Sequence, residues 1–146
     1  MQMNESELTN LLGSLRHMGS DDLNVEVKES AATLSRDVWE TVSAFANTAG
    51  GIIVLGVSER AGFVPVENFE TEKVLNQFVA GMGDAGGRGK LANPPKYTIE
   101  RVELQGTIVL VITIEELDPS SKPCYVIERG AQGGSYKRID DKDVPL

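Results

Sequence analysis

Four carboxylates stand where a divalent cation could be held: Asp21, Asp22, Glu26 and Glu59. Asp21, Asp22 and Glu59 fall in loops beside strand ends, and Glu26 lies in the alternating run 23–28. If strands 23–28 and 52–57 neighbour one another in a sheet, these acids converge. Hard cations such as magnesium take oxygen ligands, often one or two carboxylates completed by water. Lys28 shares a strand face with Glu26 at i, i+2, so an ordinary same-face ion pair is the competing reading.

A second set of residues is cationic. Arg88 and Lys90, in Gly86-Gly-Arg-Gly-Lys90, could meet phosphates as a basic finger or simply lie solvated. Arg129, Lys137, Arg138 and Lys142 follow, with Tyr125 and Tyr136 close in sequence. Lys137 and Arg138 are strand neighbours and should point to opposite faces. The 14 basic and 22 acidic residues leave a formal charge of -8, which argues against a broad phosphate-binding surface and leaves room for a local patch.

Other chemistries find little support. His17 is the one histidine and Cys124 the one cysteine. Multi-histidine metal sites, thiolate cages and internal disulfides are excluded, and Ser-His or Cys-His catalysis is disfavoured. Gly81-Met-Gly-Asp-Ala-Gly86 matches G-x-G-x-x-G, but a helical pattern precedes it and a Gly/Pro loop follows, the wrong context for a dinucleotide fingerprint. Gly89-Lys90 is not a P-loop, because Asp84 and Leu91 replace the required glycine and hydroxyl residue. Asn47 reads either as a backbone clamp or, more simply, as a helix-end cap.

The elements that must position these groups follow from periodicity. The 146 residues suit one domain with a real core, and 40% apolar and 25% charged residues are ordinary for a globular chain. No run is long and apolar enough for a membrane span and no signal peptide is evident, so a reducing cytoplasm is expected. Leu8, Leu11, Leu12, Leu15 and Met18 mark a helix, with Asn4 and Glu7 as a capping box. Val38, Trp39, Val42, Phe45 and Ala46 mark a second, N-capped by Ser35 and stopped by Gly50-Gly51. Ile52–Leu55 is a buried strand. Val74, Leu75, Phe78, Val79 and Met82 mark a third helix. Residues 81–95 read as a loose loop. Tyr97–Leu104 and Thr107–Ile114 form a hairpin about Gln105-Gly106, and 123–127 with 135–139 a second about 130–134. Residues 140–146 are polar and acidic with no core residue before Val144, so the chain reads as the N-terminal part of something longer. The expected fold is α+β: one mixed, mostly antiparallel sheet with helices packed mainly on one face.

Val25-Glu-Val-Lys28, then Ala44-Phe-Ala-Asn-Thr48, Gly50-Gly51 and Ile53-Val-Leu-Gly-Val57, resembles the Schlafen AlbA-2 family, whose pattern is an E-F-K strand, A-F-A-N-t-x-G-G, and an apolar strand ending in I-G-V. Pro94-Pro95, the strand 108–114, Pro123-Cys-Tyr125 and Tyr136-Lys-Arg138 fit in order. The resemblance divides the chain into an N-terminal helix, 1–20, and an AlbA-2-like domain, 21–146. It implies a DNA-binding domain of a bacterial transcriptional regulator. Animal Schlafen proteins carry a related domain in duplicate that cleaves tRNA and rRNA. By position, the acids implicated there fall on Asp21, Glu26 and Glu59, with Asp21 and Glu59 exchanged in carboxylate length.

Three functions are thereby expected. The first is a nucleic-acid-binding, dimerising module, taking DNA or RNA through Arg88, Lys90, Arg129, Lys137 and Arg138. The second is an endoribonuclease in which Asp21, Glu26 and Glu59 hold magnesium or manganese and Lys28 neutralises developing charge. The third is a sensor or homodimerisation module without nucleic acid.

Overall fold

The computed structural model describes residues 3–18, 24–84 and 86–146. The elements run α1 (Glu5–Met18), β1 (Val25–Lys28), α2 (Val38–Asn47), β2 (Gly51–Leu55), β3 (Val57–Ser58), β4 (Val64–Pro65), α3 (Thr71–Met82), β5 (Leu91–Ala92), β6 (Tyr97–Leu104), β7 (Thr107–Ile114), β8 (Tyr125–Val126), α4 (Gly130–Gly134), β9 (Tyr136–Ile139) and β10 (Lys142–Pro145). The main sheet has the order β1-β2-β7-β6. β1 runs parallel to β2 with α2 as the crossover, and the other pairings in this sheet are antiparallel.

Side-chain alternation divides the core. Ile53, Leu55, Leu110, Ile112 and Ile114 pack against α2 and α3. Val27, Val54, Val109 and Val111 pack on the other face, against Leu8, Leu12 and Leu15 of α1. α1 opens on the expected capping box: the Glu7 amide donates to Asn4 Oδ1 at 2.8 Å and the Asn4 amide to Glu7 Oε1 at 3.2 Å. Met18, expected on its apolar face, is exposed. The fold is the expected α+β layering around one mixed sheet. No described helix is long and apolar enough to cross a membrane.

α2 ends at the expected glycines. Gly50 has φ +71°, and a β-carbon there would sit 2.7 Å from the Ile114 carbonyl oxygen. The helix begins later than Ser35. Asp37 precedes its first turn, and the Ser35 amide and hydroxyl are both bonded to the Ser30 hydroxyl. Ser35 therefore closes the 30–35 loop instead of capping.

The C-terminal third departs most from the sequence reading. β8 pairs with β5, inside the segment expected to be a loose loop, and buries Leu91. Between β8 and β9 the chain winds through 3-10 and α-helical turns; only a Tyr125–Ser135 bridge remains of the expected hairpin. Gly134 permits this, because a β-carbon there would lie 2.5 Å from the Val126 carbonyl oxygen. β9 instead pairs with β10, in a segment read as polar and acidic with no strand assigned to it.

Candidate nucleic-acid interface

The two charged sets meet at Arg138. Glu26, expected to hold metal, points to the α2 side of the sheet and meets Arg138, expected to hold phosphate. Arg138 Nη1 donates to Glu26 Oε1 at 2.7 Å and to Asp143 Oδ1 at 2.8 Å. Its Nη2 donates to the Val25 carbonyl at 3.2 Å, and the guanidinium lies 4.9 Å from the Phe45 ring centroid. Asp143 Oδ2 accepts from the Thr41 hydroxyl at 2.6 Å. The Arg138 side chain is 1% exposed, so its charge is spent inside the protein and offers no face to a phosphate. Burial opposes its positive charge, but the bonds to Glu26 and Asp143 outweigh that and hold its pKa above the ordinary value.

Lys28 joins the edge of this cluster, 3.1 Å from Asp37 and 3.8 Å from Glu26. Glu59 is exposed in the turn after β3, and the neighbouring Ser58 hydroxyl donates to Glu29. Asp21 and Asp22 lie outside the described residues. Among the described residues no group of three His, Cys, Asp or Glu is arranged to hold a metal. Glu26, already facing two cations, does not fit that role either.

Asn47 is a clamp, not the expected helix-end cap. Its side-chain amide donates to the carbonyls of Cys124 at 3.0 Å and Tyr136 at 2.9 Å, and its Oδ1 accepts from the Cys124 amide at 2.8 Å. Ser43, one turn earlier, accepts from the Tyr136 amide at 3.0 Å and donates to the Cys124 carbonyl at 2.7 Å. These bonds fasten β8 and β9 to α2. Cys124 is buried beneath the clamp, and burial pushes its thiol up to about 12, away from nucleophilic use.

The remaining cations gather elsewhere, around Trp39. Trp39 stacks on Phe78, with centroids 5.4 Å apart and planes at 20°. It comes close because Gly81 has no side chain; a β-carbon there would overlap the indole. Glycine in a helix interior costs about 1 kcal/mol of propensity, and here it is the contact with Trp39 that requires it. Trp39 and Leu34 form the shared floor of two adjoining clefts. One, of about 210 Å³, is polar and bordered by Ser35, Arg36, Lys90, Glu128 and Arg129. The other, of about 360 Å³, is bordered by Gln77, Ala80, Gly81, Arg88 and Lys90.

Arg36, Arg88, Lys90 and Arg129 thus converge on one aromatic floor. Arg129 is oriented by Glu40 at 3.2 Å and by the Tyr136 hydroxyl at 2.6 Å; the Glu40 bond, with that hydroxyl, raises its pKa. The side chains of Arg36, Arg88 and Lys90 make no ion pair among the described residues. Lys137 is exposed on the opposite side of β9 from Tyr136 and Arg138, as alternation requires, and does not line the groove. Sequence reasoning named Arg88, Lys90 and Arg129 but missed Arg36. Its one signal was its place three residues before the lone tryptophan, just after the residue read as the helix N-cap.

The architecture defines a small α+β domain in which a β-α-β unit is extended by an antiparallel hairpin and a cationic groove opens beside the crossover helix. The chain belongs to the Schlafen AlbA_2 family, whose sequence profile matches residues 21–146. It is similar to the solution structure of the N-terminal domain of a Nitrosomonas europaea protein named as related to the ATP-dependent DNA helicase RecG. That match has 27% identity and a TM-score of 0.69, over 97% of this chain and 92% of the other. The DIP2311 protein of Corynebacterium diphtheriae shares the fold at 16% identity and a TM-score of 0.54; the match covers 97% of this chain and 26% of that one. No curated protein matches the chain.

Proposed function

We propose that this domain binds nucleic acid through the Trp39 groove, as the nucleic-acid-binding module of a bacterial transcriptional regulator. One observation carries the reading: in a chain of formal charge -8, Arg36, Arg88, Lys90 and Arg129 border two adjoining clefts that share the Trp39 floor, and three of them have no internal ion-pair partner among the described residues. Concentrating free cations next to one another is electrostatically unfavourable unless an anion completes the site. Family membership and the helicase-related name of the Nitrosomonas neighbour favour nucleic acid, and DNA in particular, as that anion.

Binding of this kind releases counterions, so affinity should fall steeply with salt. A gel-shift titration across salt concentrations tests it. Replacing Arg88 and Lys90 by alanine should weaken binding at every sequence and flatten the log–log salt slope by about 0.7–0.9 per lost contact. Absence of binding at low salt would overturn the proposal. Running the same incubations with manganese and RNA on a denaturing gel tests the endoribonuclease reading. Cleavage abolished by Glu26→Gln, in a folded protein, would replace binding with catalysis. Light scattering of the same samples reads homodimerisation as a doubled mass.

A further inference from the structure

We infer that the groove takes an unpaired nucleotide segment, not a duplex: one base against the Leu34–Trp39–Ala80 lobe, with its phosphates among Arg36, Lys90 and Arg129. This rests on the groove being a nucleic-acid site and specifies which form of nucleic acid it admits.

Three features lead there. First, the site is a pair of small clefts and not a face. At about 360 Å³ the apolar cleft falls at the small end of ligand pockets, which run from roughly 300 Å³ upward, and the polar cleft beside it, at about 210 Å³, is smaller still. Second, an apolar floor and a cationic border occupy the same groove. A duplex presents phosphates outward and keeps its base faces stacked, so it could use the border but leave the floor unfilled. An unpaired segment offers both, since every base has a flat apolar face and every linkage a charge. Third, the border is interrupted by acids. Glu128 lines the polar cleft and Glu40 holds Arg129, so acids break up the positive border and leave no broad cationic face for two strands. Beyond that border, a second strand would have to approach a chain whose formal net charge is -8.

Trp39 supplies the readout. It is the sole tryptophan, so the intrinsic tryptophan emission of the whole chain reports from the groove floor. The chain is titrated at fixed salt with an oligothymidylate, a duplex of equal length, and an abasic strand carrying the same phosphates. The single strand should quench Trp39 and bind about tenfold more tightly than the duplex, the scale of one base–aromatic contact. The abasic strand should lose the quench and most of that advantage. Ala80→Leu fills the apolar lobe from an exposed helical position without changing charge. It should weaken the thymidylate complex about tenfold and leave the salt slope unaltered.

Equal or tighter duplex binding, or an abasic strand as tight as thymidylate, would overturn the inference. If duplex affinity still depended on Lys90, the groove would remain a nucleic-acid site without the single-strand preference. If none of the three probes bound, both readings would fall together.

Discussion

Two clusters of charge interleave along the sequence and do opposite things. In the Arg138 cluster every charge faces a counter-charge inside the protein, and the guanidinium is 1% exposed. In the Trp39 groove Arg36, Arg88 and Lys90 face solvent without ion pairs among the described residues. Both contain arginine and both sit on an aromatic ring. Partnering and burial separate them: a buried, paired arginine holds two segments together, while a free one at a cleft wall is available to an incoming anion.

The difference is sharpest in stability. Arg138→Met should cost about 3–5 kcal/mol, because it takes the ion-pair partner from the largely buried Asp143 carboxylate and leaves Glu26 only Lys28 at 3.8 Å. Urea unfolding measures this; a loss below about 1 kcal/mol would show the cluster to be wetter than its geometry implies. Asn47→Ala should come next, at about 1–3 kcal/mol, since it strands the Cys124 amide and the Tyr136 carbonyl.

The buried site beneath the Asn47 clamp should also respond to alkali. The folded Cys124 thiol keeps its proton up to about pH 12, whereas an unfolded thiol loses it near pH 9. Between those values the unfolded state binds fewer protons, so stability falls as pH rises, by up to about 1.4 kcal/mol per pH unit from this group. Below pH 9 the contribution is fully present. Unfolding at pH 7 and pH 10, with Cys124→Ala as the control lacking that difference, checks it. The smallest effect belongs to the groove. Lys90→Ala should move stability by less than about 0.5 kcal/mol while weakening nucleic-acid binding; a larger loss of stability would blur the distinction between the clusters.

Much of the fold was legible where one physical pattern acted alone. The capping box at Asn4 and Glu7, the glycine stop at Gly50 and the hairpin at Gln105-Gly106 are local signals, and the structure keeps each. The β9–β10 pair was illegible because it is held by charge instead of apolar alternation. Asp143 looks like solvated surface until Arg138 and Thr41 are found beside it. The site divided the same way. Arg88, Lys90 and Arg129 could be named as cations, but that they share a floor depends on α3 approaching α2 at Gly81. Arg138 was read as surface because sequence gives the alternation of a strand without saying which side is inside.

The bonds that join Glu26 to Arg138 and Asn47 to Tyr136 span 112 and 89 residues of chain. Such ties set an order in time. As the chain emerges from the ribosome, β1, α2 and β2 can be made long before Arg138 exists, with the Glu26 carboxylate still lacking its counter-ion. Closing so long a loop costs entropy before any contact repays it. The domain should therefore hesitate as a partly assembled sheet, its first strand unsealed, until the hairpin carrying Arg138 leaves the tunnel and completes it.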